Sequence, residues 1–196
     1  MPRSSASRTE AGLNVIVCSG HMIDAAGRSE ARFPPAKEGA VGRKIAEQLA
    51  RWNVGTKDTG ICGGACGADI LFAEACLERG APVILLIALP EDKFLGRSVT
   101  FADADWEKRY RALRGRCETR FQHEALGPPA NGENVFERNN LWCLELARSL
   151  APPERIHALL VWDEKPAGDG PGGTSDFAAR VEQGGGRVAI INPTRV

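Results

Sequence analysis

Short apolar runs alternate with longer amphipathic stretches along the chain. Residues 13–18 (Leu-Asn-Val-Ile-Val-Cys) predict a first strand. Residues 36–52 follow, with Val41, Ile45, Leu49 and Trp52 at the three- and four-residue spacings of one helix face. Residues 58–62 read as a weaker second strand, and 68–79 as a helix that Gly80 would end in the left-handed conformation. Residues 82–89 are apolar throughout, as expected of a parallel strand covered on both faces. Residues 103–114 read as a helix and 117–121 as a fourth strand. An amphipathic helix at 134–150 is closed off by Pro152-Pro153, and 157–162 is another buried strand. Thr174 and Ser175 can cap a helix running to about Gln183, which Gly184 to Gly186 end before a last strand at 187–191.

Strands alternating with helices imply βαβ units and parallel pairing. The expected fold is α/β: a single Rossmann-like three-layer domain with a mostly parallel sheet of about six strands. It would cover residues 13–196, behind a disordered tail at 1–12.

Charge narrows the functional classes. The chain carries 25 Lys plus Arg and 25 Asp plus Glu, a net charge of zero. A nucleic-acid binder usually shows a basic excess that neutralises phosphates, so a small ligand or a protein partner is expected instead. No apolar run approaches the roughly 20 residues that span a bilayer, and Met1 to Arg8 lead into no apolar signal region. The six cysteines fall mostly inside apolar stretches and read as reduced, buried thiols of a cytoplasmic protein.

In an open parallel sheet, ligands bind beyond the carboxyl ends of the strands, where the strand order reverses. Three loops lie at such ends. The first is Cys62-Gly63-Gly64-Ala65-Cys66-Gly67-Ala68-Asp69, running from the second strand into a helix. Its glycines would let backbone N–H groups approach an anion, and the helix start adds unpaired donors, so it reads as a phosphate cradle. Asp69 could bind a ribose hydroxyl or simply complement the helix dipole. This is not the dinucleotide fingerprint, which needs G-x-G-x-x-G after the first strand.

The second loop, 163–173, leads into Thr174-Ser175-Asp176, and Gly172, Gly173, Thr174 and Ser175 are candidate phosphate or sugar contacts. Gly168 and Gly173 have Walker A spacing, but the Lys of that motif is missing, which excludes ATP hydrolysis of that type. The third connection, 19–35, offers Ser19 and Gly20 as ligand contacts and contains His21, Asp24, Arg28 and Arg32. Cys62 and Cys66 are not spaced as C-x-x-C, and His21, His123 and His157 are scattered, so neither a metal nor a resident cofactor is expected. Trp106 and Trp142 sit on helical patterns and read as packing.

The Cys62-to-Asp69 loop after a strand, and Pro171-Gly172-Gly173-Thr174 before a late helix, resemble the SLOG superfamily. That group includes Lonely Guy-type phosphoribohydrolases, the DNA-processing protein Smf and nucleotide-sensing domains. The stretch 18–25 (C-S-G-H-M-I-D-A) with Arg32 to Pro35 (R-F-P-P) is similar to SLOG-like domains of bacterial tetratricopeptide-repeat proteins. The resemblance implies a nucleotide or nucleotide-derived ligand across the strand ends. It also implies a phosphate role for Arg138 in V-F-E-R-N-N, although Asn139 stands where the phosphoribohydrolases commonly have Lys. Those enzymes carry P-G-G-x-G-T-x-x-E, whereas here Thr174, Ser175 and Asp176 follow P-G-G directly. A shorter carboxylate in a shifted register disfavours their cleavage chemistry. The leading expectation is therefore a sensor or recruitment domain for a nucleotide signal. The alternative is an N-glycosidic hydrolase with Asp69 or Asp176 as the carboxylate and Arg138 as the anchor. A third is a protein-interaction module on the same scaffold. Homo-oligomers and fused or partner effector domains fit any of these.

Overall fold

The computed structural model describes residues 13–165 and 174–196; the tail at 1–12 and the contacts expected of Gly172 and Gly173 lie outside them. Among the described residues six strands form one sheet: β1 (Val15–Gly20), β2 (Thr59–Cys62), β3 (Val83–Ile87), β4 (Glu118–Phe121), β5 (Ile156–Val161) and β6 (Val188–Ile191). Every pairing is parallel, in the order β4-β3-β2-β1-β5-β6. The α/β three-layer, Rossmann-like architecture is therefore present, with a sheet that is parallel throughout. The helices are α1 (Glu38–Arg51), α2 (Ala68–Glu78), α3 (Glu91–Ser98), α4 (Ala104–Arg114), α5 (Gln122–Ala125), α6 (Val135–Leu150) and α7 (Thr174–Gln183). No helix among the described residues is long and apolar enough to cross a membrane.

Side chains alternate across the pleat and so feed two cores. Ile16 and Cys18 of β1, with Leu85 and Ile87 of β3, join a core shared with α1, α2 and α4. Val15 and Val17, with Ile84 and Leu86, join a second core under α6 and α7. The face of α1 is Val41, Ile45 and Leu49, as its spacing predicts. Helix α2 is apolar nearly all round because it is packed on the sheet and flanked by α1 and α4. It ends as expected: Gly80 takes φ +78, and the N–H groups of Gly80 and Ala81 donate to the Leu77 and Cys76 carbonyls. Trp106 and Trp142 are buried, one in each core.

Two helices were not legible. Helix α3 has eight residues, contains Gly96 and buries only Phe94 and Ser98, too few to show a period. Helix α5 is a single turn. Strand β1 also runs two residues further than its apolar run, because Ser19 and Gly20 pair with Leu160 and Val161 of β5.

Arg109 ties the helical layer together. Its guanidinium donates to both Glu74 carboxylate oxygens at 2.9 and 2.6 Å and to Glu38 at 2.7 Å, and it lies 4.1 Å from the centre of the Trp106 ring. Because both carboxylates keep solvent contact, the pairing is discounted for screening, and Arg109→Ala is expected to cost about 1–2 kcal/mol. Urea unfolding measures this; an unchanged midpoint would contradict it.

Candidate functional site

The chain steps from β1 outward through β2, β3 and β4, then returns to place β5 on the other side of β1. The order therefore reverses between β1 and β5, and the carboxyl ends of these strands open a crevice. A cleft of about 520 Å³ lies there. Its floor is formed by Ser19, Gly20 and His21, which follow directly from the extension of β1. Gly63, Ala65 and Asp69 form one wall, Phe94, Arg97 and Ser98 a second, and Phe136, Asn139 and Asn140 of α6 a third.

The glycine loop is closed by its own carboxylate. Ala65 N–H donates to Asp69 Oδ2 at 3.1 Å, and the Gly63 N–H also bonds to this carboxylate. The next donors are engaged as well: Cys66 N–H reaches the Ser98 carbonyl at 2.8 Å, and Ala68 N–H the His21 carbonyl at 3.2 Å. Gly64 turns toward Ile87 and Tyr110 in the core rather than toward the cleft. Burial lifts the Asp69 carboxyl to about 7, against the opposing pull of the Ala65 and Gly63 N–H groups. A carboxyl in that range exchanges its proton near neutrality.

The connection after β1 is an ordered strap. Asp24 Oδ2 accepts N–H bonds from Arg32 and Phe33, each at 2.9 Å, and Arg28 Nε lies 3.4 Å from Asp24 Oδ1. At the end of β5, Asp163 holds the strap's other side chains: His21 Nε2 at 2.9 Å and Arg32 Nε at 3.4 Å. Burial opposes ionisation of Asp163, but these bonds and the Lys165 N–H hold its carboxyl down at about 2. Burial also lowers the His21 pKa, with the Asp163 hydrogen bond opposing, so the neutral imidazole is the form favoured at neutral pH, and its Nε2 faces both the Asp163 carboxylate and the Asp163 N–H at 3.2 Å.

The remaining predicted residues separate. Ser19 Oγ donates to Asn140 Oδ1 at 3.4 Å on the cleft, and Thr174 lines it. Ser175 is outside the lining, and Asp176 pairs with Arg180 at 2.7 Å on α7. Arg138 donates to the carbonyls of Gly127 (3.0 Å) and Leu126 (2.9 Å), with Glu133 at 3.6 Å, and so pins the loop before α6. Its neighbour Asn139 donates to the Leu86 carbonyl at 2.7 Å, tying α6 to β3. The residues that sequence reading missed are those of α3 and its surroundings: Phe94, Arg97, Ser98 and Phe101. The one signal for them was position, since they follow the clearest strand at its carboxyl end.

All six cysteines are free thiols, and burial pushes the Cys66 thiol up to about 12, far from the thiolate form. Among the described residues no three His, Cys, Asp or Glu side chains are grouped to hold a metal ion.

No protein-family model matches this chain, and no curated protein matches it. Among solved structures the chain is similar to the Moco carrier protein from Chlamydomonas reinhardtii, at 13% identity over 92% of this chain and 91% of that one, with a TM-score of 0.38.

Proposed function

We propose that the cleft binds a nucleotide or nucleotide-derived signal, and that the domain acts as a sensor or recruitment module of the SLOG type. One observation carries this reading. At the point where strand order reverses, the cleft is lined by Arg28, Arg32 and Arg97 together with Phe101 and Phe136. That mixture suits a ligand with an anionic part and a planar part. Ser19, Gly20, Gly63, Ala65, Asp69 and Thr174 are the contacts assigned to it, and the free thiols fit a reducing, cytoplasmic setting. Calorimetric titration with AMP, NAD and ADP-ribose tests the reading. Saturable binding of at least one is expected; no heat from any of them would refute it.

Asp69 favours a second reading. A cleft carboxyl with a pKa of about 7 can pass a proton to a leaving base, as an N-glycosidic hydrolase requires. Base released during incubation with the same three nucleotides, and lost in Asp69→Asn, would establish this activity. Saturable binding without released base would leave a domain that holds its ligand.

A further inference from the structure

We propose that Arg97 is the anion anchor of the cleft, and that it takes the terminal phosphate of a nucleoside monophosphate. The inference rests on the nucleotide reading and adds the ligand's class and the residue that selects it. The three cleft arginines are not equivalent. Arg28 lies against Asp24 and donates to the Glu30 carbonyl at 2.8 Å, and Arg32 lies against Asp163. Arg97 forms no ion pair with a carboxylate among the described residues; its guanidinium rests 5.0 Å from the centre of the Phe136 ring. That contact sets this side chain of α3 against Phe136 of α6, both of which line the cleft.

Two further observations point to this wall. The Gly63, Ala65, Cys66 and Ala68 amides of the glycine loop are engaged with Asp69, Ser98 and His21, so at these positions an incoming anion meets side-chain cations first. Beside Arg97, the buried Ser98 hydroxyl has no hydrogen-bond partner although its residue lines the cleft. A guanidinium fork matches two oxygens of one phosphate, so a single uncompensated arginine fits a terminal monoester better than a bridging diphosphate. The planar part of such a ligand has the partly exposed ring of Phe101 beside it.

The test compares AMP, ADP-ribose and adenosine by calorimetry on the whole chain and on Arg97→Ala, whose fold is checked by circular dichroism. Arg97 is exposed, so the variant is expected to fold. The wild-type protein is expected to prefer AMP over adenosine by about 10- to 100-fold. Arg97→Ala should erase that preference while adenosine binds as before, and Arg97→Lys, which keeps the charge without the fork, should restore part of it. If the variant kept the preference, the assignment of Arg97 would fall while the nucleotide reading stood. Tight binding of ADP-ribose without AMP would overturn the monoester alone. No binding of any of the three to the wild-type protein would overturn both.

Discussion

Replacing Gly67 with valine is expected to destabilise the domain by about 4 kcal/mol, from backbone strain of about 1–3 and overpacking of about 1–3 kcal/mol. Gly67 precedes α2 with φ +90 and ψ −121, a conformation that L side chains rarely adopt. A Cβ there would also lie 2.7 Å from the Ile23 nitrogen and 2.8 Å from the His21 oxygen. Both are backbone atoms that cannot swing aside. The valine would therefore push the strap after β1 off the start of α2 and break the bond from Ala68 N–H to His21. Urea unfolding measures the loss, and faster tryptic cleavage at Arg28 and Arg32 would report where it occurs. A cost below about 1 kcal/mol would show that the close approach is not needed, since a strained position alone is worth at least that.

The second large effect is a pH dependence centred on Asp69. Its folded carboxyl sits at about 7 against an ordinary value of 3.8, so folding favours the protonated form. The stabilisation is complete below pH 3.8 and is lost as pH rises through about 7. Each pH unit in that window is worth about 1.4 kcal/mol; after discounting for the solvent that Asp69 meets in the cleft, a loss of about 2–4 kcal/mol is expected between pH 4 and 8. Asp69→Asn cannot ionise and should not follow that slope. The free-energy difference, wild type minus variant, should therefore fall across the window. Subtraction removes other groups, including His21, whose lowered pKa works in the opposite direction. Parallel profiles for the two proteins would sink this expectation.

The same carboxylate shows what a linear reading reaches. The loop from Cys62 to Asp69 was visible as a turn of glycines feeding a helix, because Gly and helix-start residues act within a few positions of themselves. What the loop's amides do was not visible. A cradle open to phosphate and a cradle closed on its own Asp69 share one sequence, and the difference is an N–H direction set by packing against His21 and Ser98. Arg138 behaves in the same way. Its place before a helix was legible, but its guanidinium is spent on the carbonyls of Leu126 and Gly127, supplied by a loop that carries no periodic signal.

By itself the sequence determined the α/β class, the six strands and the face of α1, since continuous apolar runs mark strands covered on both sides and a 3.6-residue period marks a helix face. The tertiary structure decided that β5 returns beside β1, which sets the cleft at the ends of those two strands. It also brought Arg97, from a helix too short to show a period, opposite Phe136 of α6. Strand order and side-chain partners join residues far apart in the chain, and only the folded packing of the two cores selects among the neighbours that the local patterns allow.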